Sequence, residues 1–288
     1  MFEQMGLIGC GLMGGSFALA LKKAGLVKRV VGYSKSPSTT EKARQAGVID
    51  VEAPSALLAV SGADIVLIAV PVAATESTFK AIRHLVNSKT LLMDVGSTKR
   101  DVVEAARRTL GNNLGAFVPA HPVAGKENAG VEHADADLYR GRQVILTPIE
   151  RTMTAQLKQA EAVWRAIGSH VRLMSPDAHD TAFAAVSHLP HMLAFAYMNG
   201  LIAQPQMAEF LSLAGPGFRD FTRIAAGDAK VWRDIFQANK DELLLQTRAF
   251  REALQAFEHN LSQGNTDEVT RLIAQAGAAR GNWQLPSS

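Results

Sequence analysis

Apolar residues in the first half of the chain come in short runs, each followed by a longer stretch with helical spacing. Residues 5–9, 29–33, 64–70 and 90–95 are dense in Val, Ile, Leu and Met, and their length predicts strands. Residues 16–24, 37–46, 74–86 and 99–110 place apolar side chains three and four apart and predict helices between those strands. Such alternation predicts an α/β unit built on a parallel, doubly wound sheet, with ligands at the carboxyl ends of its strands. Those ends read Ser34-Lys35, Val70-Pro71, Gly96-Ser97 and residues 119–125. Further strands are expected at 143–148 and 170–174, around a helix at 154–167.

After residue 174 the strand pattern stops. A mostly apolar segment, 175–203, opens with Ser175-Pro176-Asp177, a capping hydroxyl, a first-turn proline and an acid at the positive end of the dipole. Asp180, Ala184, Ser187 and His191 step by three or four residues and so predict one polar stripe, with His188 at its margin and a bend at Pro190. Helices are expected at 207–213, 218–226, 228–260 and 267–279, broken at Gly215-Pro216-Gly217. In the long one Phe236, Leu243, Phe250 and Phe257 are seven apart, a seam that needs a cover from the last helix and from a second copy of the chain. The expectation is a homodimer with two domains per chain, 1–174 and an all-helical 175–288.

Composition narrows the classes. The 288 residues are 47% hydrophobic and 20% charged, in the range of soluble globular chains, with ample length for two cores. Thirty Lys and Arg against 27 Asp and Glu give +3 with no basic run, so no nucleic-acid partner is expected. The single cysteine, Cys10, excludes an internal disulfide and fits a reducing compartment. The first ten residues lack signal-peptide features, and the longest apolar run, 65–74, is short for a bilayer span and contains a proline. A cytoplasmic protein without a membrane partner is expected.

The candidate chemistry starts at Gly9-Cys10-Gly11-Leu12-Met13-Gly14, placed after a strand and before a helix. Gly9 permits the turn, Gly11 admits a pyrophosphate against backbone, and Gly14 packs helix on strand, with Leu12 and Met13 at the amide-rich helix start. The first domain is therefore read as a Rossmann-type NAD(P)-binding unit, with Val70 and Pro71 lining the same edge. An NAD enzyme usually has an acid after the second strand; here Ser34, Lys35 and Ser36 offer hydroxyls and charge, with no acid before Glu41, which favours NADP over NAD. Ser97 is placed to cap a helix or to present its hydroxyl to a ligand. His121, with Pro122 after it and Gly125 close by, is expected in a stiff loop at a strand end, where an imidazole can serve as general base or sit as a satisfied core residue. Arg219 and Arg223 lie four apart, suited to surface pairing with Asp220 or to clamping a carboxylate.

Together the glycine loop, GSTK at 96–99, HPVAG at 121–125, SHLPH at 187–191 and FRDFTRIA at 218–225 with Trp232 resemble the prephenate and arogenate dehydrogenases of tyrosine biosynthesis. The resemblance spans nearly the whole chain. It implies oxidative decarboxylation of prephenate to 4-hydroxyphenylpyruvate with NAD(P)+ and no metal, or, in the alternative, conversion of arogenate to tyrosine. It implies that His121 bonds the substrate hydroxyl as base, with Ser97 beside it; that His191 and Arg223 hold substrate, Arg223 through a carboxylate; and that Glu127, Asp180 and Trp232 form a polar gate. The sequence stops at Ser288 without the regulatory or mutase domain some members carry, so a monofunctional dehydrogenase is expected. A 3-hydroxyacid dehydrogenase is disfavoured because residues 176–203 hold no lysine, and a non-catalytic dinucleotide sensor has no need of the three later motifs.

Overall fold

The computed structural model describes residues 1–126 and 128–284. Strands β1 (Phe2–Ile8), β2 (Val27–Tyr33), β3 (Val51–Glu52), β4 (Ile65–Ile68), β5 (Leu91–Asp94) and β6 (Phe117–Val118) form one parallel sheet in the order β3-β2-β1-β4-β5-β6. Side chains alternate across it. Met5, Leu7, Ile65, Leu67, Leu91 and Met93 face α1 (Leu12–Lys23) and α6 (Thr154–Ala166), around Phe17 and Trp164. Ile8, Val66, Ile68 and Leu92 face the opposite layer, where α4 (Thr75–Ile82) and α5 (Arg100–Thr109) bring Phe79, Ile82, Val102 and Ala106. Two short helices, α2 (Pro37–Gln45) and α3 (Ala56–Val60), complete the winding near the β3 edge. The register pairs Ile8 with Ile68 and Ile68 with Asp94, so the loops after β1, β4 and β5 leave the sheet at one level.

The expected stiff loop at 119–125 begins as a strand. β7 (Ala120–Pro122) pairs antiparallel with β8 (Gln143–Leu146), which pairs parallel with β9 (His170–Leu173), making a second, three-stranded sheet. Pro122 cannot donate to a ladder, and it occupies an edge strand where the missing donor is tolerated. The register sets His121 opposite Ile145, so the imidazole is fixed by sheet geometry.

From Pro176 onward the chain is helical: α7 (Pro176–Phe183), a π turn (Ala184–His188), α8 (Leu189–Ile202), α9 (Met207–Ser212), α10 (Pro216–Thr222), a 3₁₀ turn (Arg223–Ala226), α11 (Ala229–Ala238), α12 (Lys240–Ser262) and α13 (Thr266–Asn282). Ser175 caps α7 through its hydroxyl, which accepts from the Ala178 amide at 3.1 Å. Two expectations change here. The π turn inserts one extra residue just before Pro190, turning α8 by about 100° relative to α7, so Asp180 and His191 do not share a face. The long helix expected at 228–260 is broken at Asn239, whose backbone (φ −113°, ψ 33°) leaves the helical region. Its side-chain amide is drawn into the interior, donating to the Asp180 carbonyl at 2.7 Å and to His188 Nδ1 at 3.1 Å. Arg100 joins the two parts of the chain, with Asp177 and Glu242 each at 2.8 Å. Among the described residues no helix is long and apolar enough to cross a membrane.

Candidate active site

The glycine loop sits where β1 hands over to α1. Gly9 has φ +97°, and a Cβ there would lie 2.2 Å from the Ala69 carbonyl oxygen; a Cβ on Gly14 would lie 2.2 Å from the Gly9 carbonyl oxygen. Around Gly11, by contrast, nothing lies within 4 Å of a Cβ position. That open space faces an α1 start with no side-chain cap and no acid in its first turn, which fits a dinucleotide pyrophosphate resting on the amides near Leu12 and Met13. Val70 and Pro71 follow β4 on the same edge. At the end of β2 the Ser34 hydroxyl accepts from the Cys10 amide at 2.8 Å, tying that strand end to the loop, and Lys35 is exposed beside it.

A chain of buried groups crosses from the sheet to the helical region. His121 Nδ1 lies 2.8 Å from His179 Nε2, and His179 Nδ1 lies 2.7 Å from Asp180 Oδ1. Asp180 also accepts from the amides of Lys99 (2.8 Å) and Arg100 (2.9 Å), the first turn of α5. His179 and Asp180 are fully buried and His121 is 8% exposed. Burial works against the charge on Asp180, but the His179 bond and the two amides outweigh it and hold its carboxyl below the usual carboxylate range. Burial, with help from His179, Lys99 and His188, holds His121 well below the ordinary histidine range, so it is neutral at neutral pH. Burial likewise lowers His179 against the pull of Asp180.

Asp180 was expected at a gate. It lies instead in the interior, as the anion that caps α5. That leaves the half-buried Ser97 hydroxyl, the other candidate for the cap, at the end of β5 and available to a ligand. Glu127, also expected at the gate, lies outside the described residues.

Lys99 is fully buried and ion-paired through Nζ with Asp94, and the same ammonium donates to the Ala120 carbonyl at 2.8 Å. Asp94 in turn accepts from the Gly96 and Ala120 amides, at 2.8 and 3.0 Å. The residue before His121 is thus held at both its amide and its carbonyl.

Farther along, His191 stacks on Trp232 (ring centroids 3.6 Å apart, planes 22° apart) and donates from Nδ1 to the Ser187 carbonyl at 2.8 Å. Burial lowers its pKa, and Arg223, in the 3₁₀ turn, adds to that lowering through its charge. Trp232 therefore belongs to an aromatic cluster with His188, Phe195 and Phe236. Arg219 pairs with its neighbour Asp220 in solvent, at 3.4 Å. His188 is buried and pushed down to about 4, mainly by burial; its Nδ1 accepts from Asn239.

Reasoning from sequence missed His179, Asp94, Lys99 and Asn239. The adjacent pair His179-Asp180 on an otherwise apolar helix was the available sign for the first. A lone Lys in the α5 start is indistinguishable from a surface residue until the fold buries it.

A family model for the prephenate dehydrogenase nucleotide-binding domain matches residues 17–173, and one for the prephenate dehydrogenase dimerization domain matches residues 175–275. The chain belongs to the prephenate dehydrogenase family. It is similar to the prephenate dehydrogenase of Bacillus subtilis, at 37% identity over 97% of this chain and 76% of that protein. With the cyclohexadienyl dehydrogenase of Zymomonas mobilis it shares 33% identity over 97% and 95% of the two chains. Among solved structures, the prephenate dehydrogenase of Aquifex aeolicus in complex with hydroxyphenyl propionate and NAD+ superposes with a TM-score of 0.90 at 34% identity, covering 97% of this chain and 98% of that one. Membership of the family makes the chain an oxidoreductase of the NAD(P)-dependent kind, and its parallel sheet with a helical second part is the family's fold.

Proposed function

We propose that this chain oxidises and decarboxylates prephenate to 4-hydroxyphenylpyruvate, using NADP+ in preference to NAD+. The observation that carries the reading is His121, a buried imidazole whose neighbour Ala120 is bonded to Asp94 at the end of β5, one of the strand ends level with the glycine loop. Gly9, Gly11, Leu12, Met13 and Gly14 would hold the pyrophosphate, Val70 and Pro71 would flank it, and Ser34 and Lys35 would meet a 2′-phosphate. When bound, the nicotinamide supplies the hydride acceptor. His121 takes the proton of the substrate hydroxyl as the ring carbon becomes a carbonyl, and Ser97 bonds the same hydroxyl. Loss of carbon dioxide then sends the electrons of the broken carbon–carbon bond through the ring to the carbonyl oxygen, which takes back its proton from His121 as the ring becomes aromatic. Arg223 holds a carboxylate as a charge-assisted pair, His191 holds the substrate, and Trp232 fixes the His191 ring by stacking.

The arogenate alternative differs only in an amino group on the side chain, and the Zymomonas relative's broader name keeps it open. Exposed Leu245, Leu254 and Leu261 on α12 and Ile273 on α13 support a homodimer through the helical region, the part matched by the dimerization model.

Formation of reduced nicotinamide by the purified protein should require prephenate and give a higher kcat/KM with NADP+ than with NAD+. No reduction with either cofactor overturns the activity, a strong NAD+ preference overturns the reading of Ser34 and Lys35, and faster turnover of arogenate moves the substrate. Arg223→Ala should raise KM for prephenate about 10- to 100-fold with a smaller change in kcat, the range for a hydrogen bond to a charged group. An unchanged KM would transfer the carboxylate to another cation.

A further inference from the structure

We propose that His179 and Asp180 are positioning residues that fix the tautomer of His121, so that its Nε2 is the proton acceptor, and that take up the positive charge when it accepts. This rests on the reading of His121 as the base. The fixed end of the hydrogen-bonded chain is the backbone of α5. The two amides at its start can only donate, so the Asp180 oxygens facing them must accept, and an ionised carboxylate satisfies both. The carboxylate can only accept from His179 as well, which places the His179 proton on Nδ1. A neutral His179 then has a lone pair on Nε2, directed at His121 Nδ1, which must donate. The remaining ring nitrogen of His121, Nε2, is left without its proton. Four hydrogen bonds thus dictate which nitrogen is basic, and backbone geometry sets the first two.

The same chain has a use during the reaction. As the substrate O–H bond breaks, its proton forms a bond to His121 Nε2 and the electron pair of the O–H bond goes to the new carbonyl, while hydride leaves to the oxidised nicotinamide. The Nδ1 proton of His121 shifts to His179 Nε2. His121 is again neutral, and the positive charge rests on His179 against the Asp180 carboxylate until carbon dioxide leaves, when the reverse shift returns the proton to the phenolate oxygen. The charged and titratable groups around the pair are Asp94 and Lys99, already bound to one another, Arg100, paired with Asp177 and Glu242, Asp101 on α5, and His188, neutral through burial, so Asp180 is the anion in contact with the shifted charge.

Ring-nitrogen NMR of histidine-labelled protein, without ligand, tests the tautomer directly, with His121 assigned by its loss in His121→Asn. At neutral pH the unprotonated nitrogen should be Nε2; finding it at Nδ1 overturns the proposal. Asp180→Asn keeps its oxygen where Lys99 and His179 both donate, so the tautomers are preserved, but it removes the negative charge that faces His179 when the proton shifts onto it. Its kcat should fall by roughly 10² to 10⁴ with KM values within about threefold, as when the acid behind a catalytic histidine loses its charge. An unchanged kcat overturns the proposal. Should Asp180→Asn fail to fold, His179→Gln keeps an acceptor for His121 and His179→Leu removes it; Gln should restore at least about tenfold of the kcat lost with Leu, and equal activity of the two variants counts against the proposal. If wild-type protein does not oxidise prephenate, the functional reading fails while the nitrogen spectrum still decides the tautomer.

Discussion

His121→Asn is expected to lower kcat for prephenate oxidation by roughly 10² to 10⁴, with KM values for substrate and cofactor inside one order of magnitude. Asn can occupy the same place in β7 and hydrogen-bond His179, so the sheet and its neighbours are preserved. It has no basic nitrogen to receive the hydroxyl proton. The loss should therefore fall on turnover, and single-turnover kinetics of the variant should show a slow chemical step. A kcat within about threefold of wild type would remove His121 from the mechanism.

Lys99→Met is expected to destabilise the fold by about 3 to 5 kcal/mol, because a buried Asp94 would lose its cation in a place water does not reach. Thermal unfolding should shift down by roughly 10 °C. Removing the anion too, in the double variant with Asp94→Leu, should recover only part of this. The ion pair is then gone cleanly, but the Gly96 and Ala120 amides that Asp94 accepted from are left without it. A melting temperature within about 2 °C of wild type in the single variant would show that the pair contributes little. Activity should suffer in both variants, since Lys99 and Asp94 hold Ala120, the residue next to the base.

Much of this arrangement could be read from sequence where local physics decides. The short apolar runs at 64–70 and 90–95, the glycines at 9, 11 and 14 and the Ser175-Pro176 start all act over a few residues, and the structure has strands, loop and helix at those places. What escaped was set by contacts distant in sequence. The two-residue strands β3 and β6 exist because neighbours offer them a ladder, with little pattern of their own. His121 reads as a loop residue from its prolines, yet β8, more than twenty residues on, makes it part of a sheet. Asp180 reads as a member of a polar stripe, yet α5 claims both its oxygens across the domain junction. Asn239 followed by Asp241 and Glu242 is a helix-start pattern inside a seam that looks continuous, and the seam masked it.

The π turn at Ala184–His188 makes the site depend on a residue count as well as on residue identities. Its extra residue acts as a spacer between two halves of a helix that serve different partners: α7 delivers His179 and Asp180 to the sheet, and α8 delivers His191 to Trp232. A one-residue deletion within it would let the backbone close into an uninterrupted α-helix, a more regular structure with every side chain of the site still encoded. One half or the other would then point away from its partner. A relative that has lost that spacer would keep the family's motifs on paper and be out of phase in space.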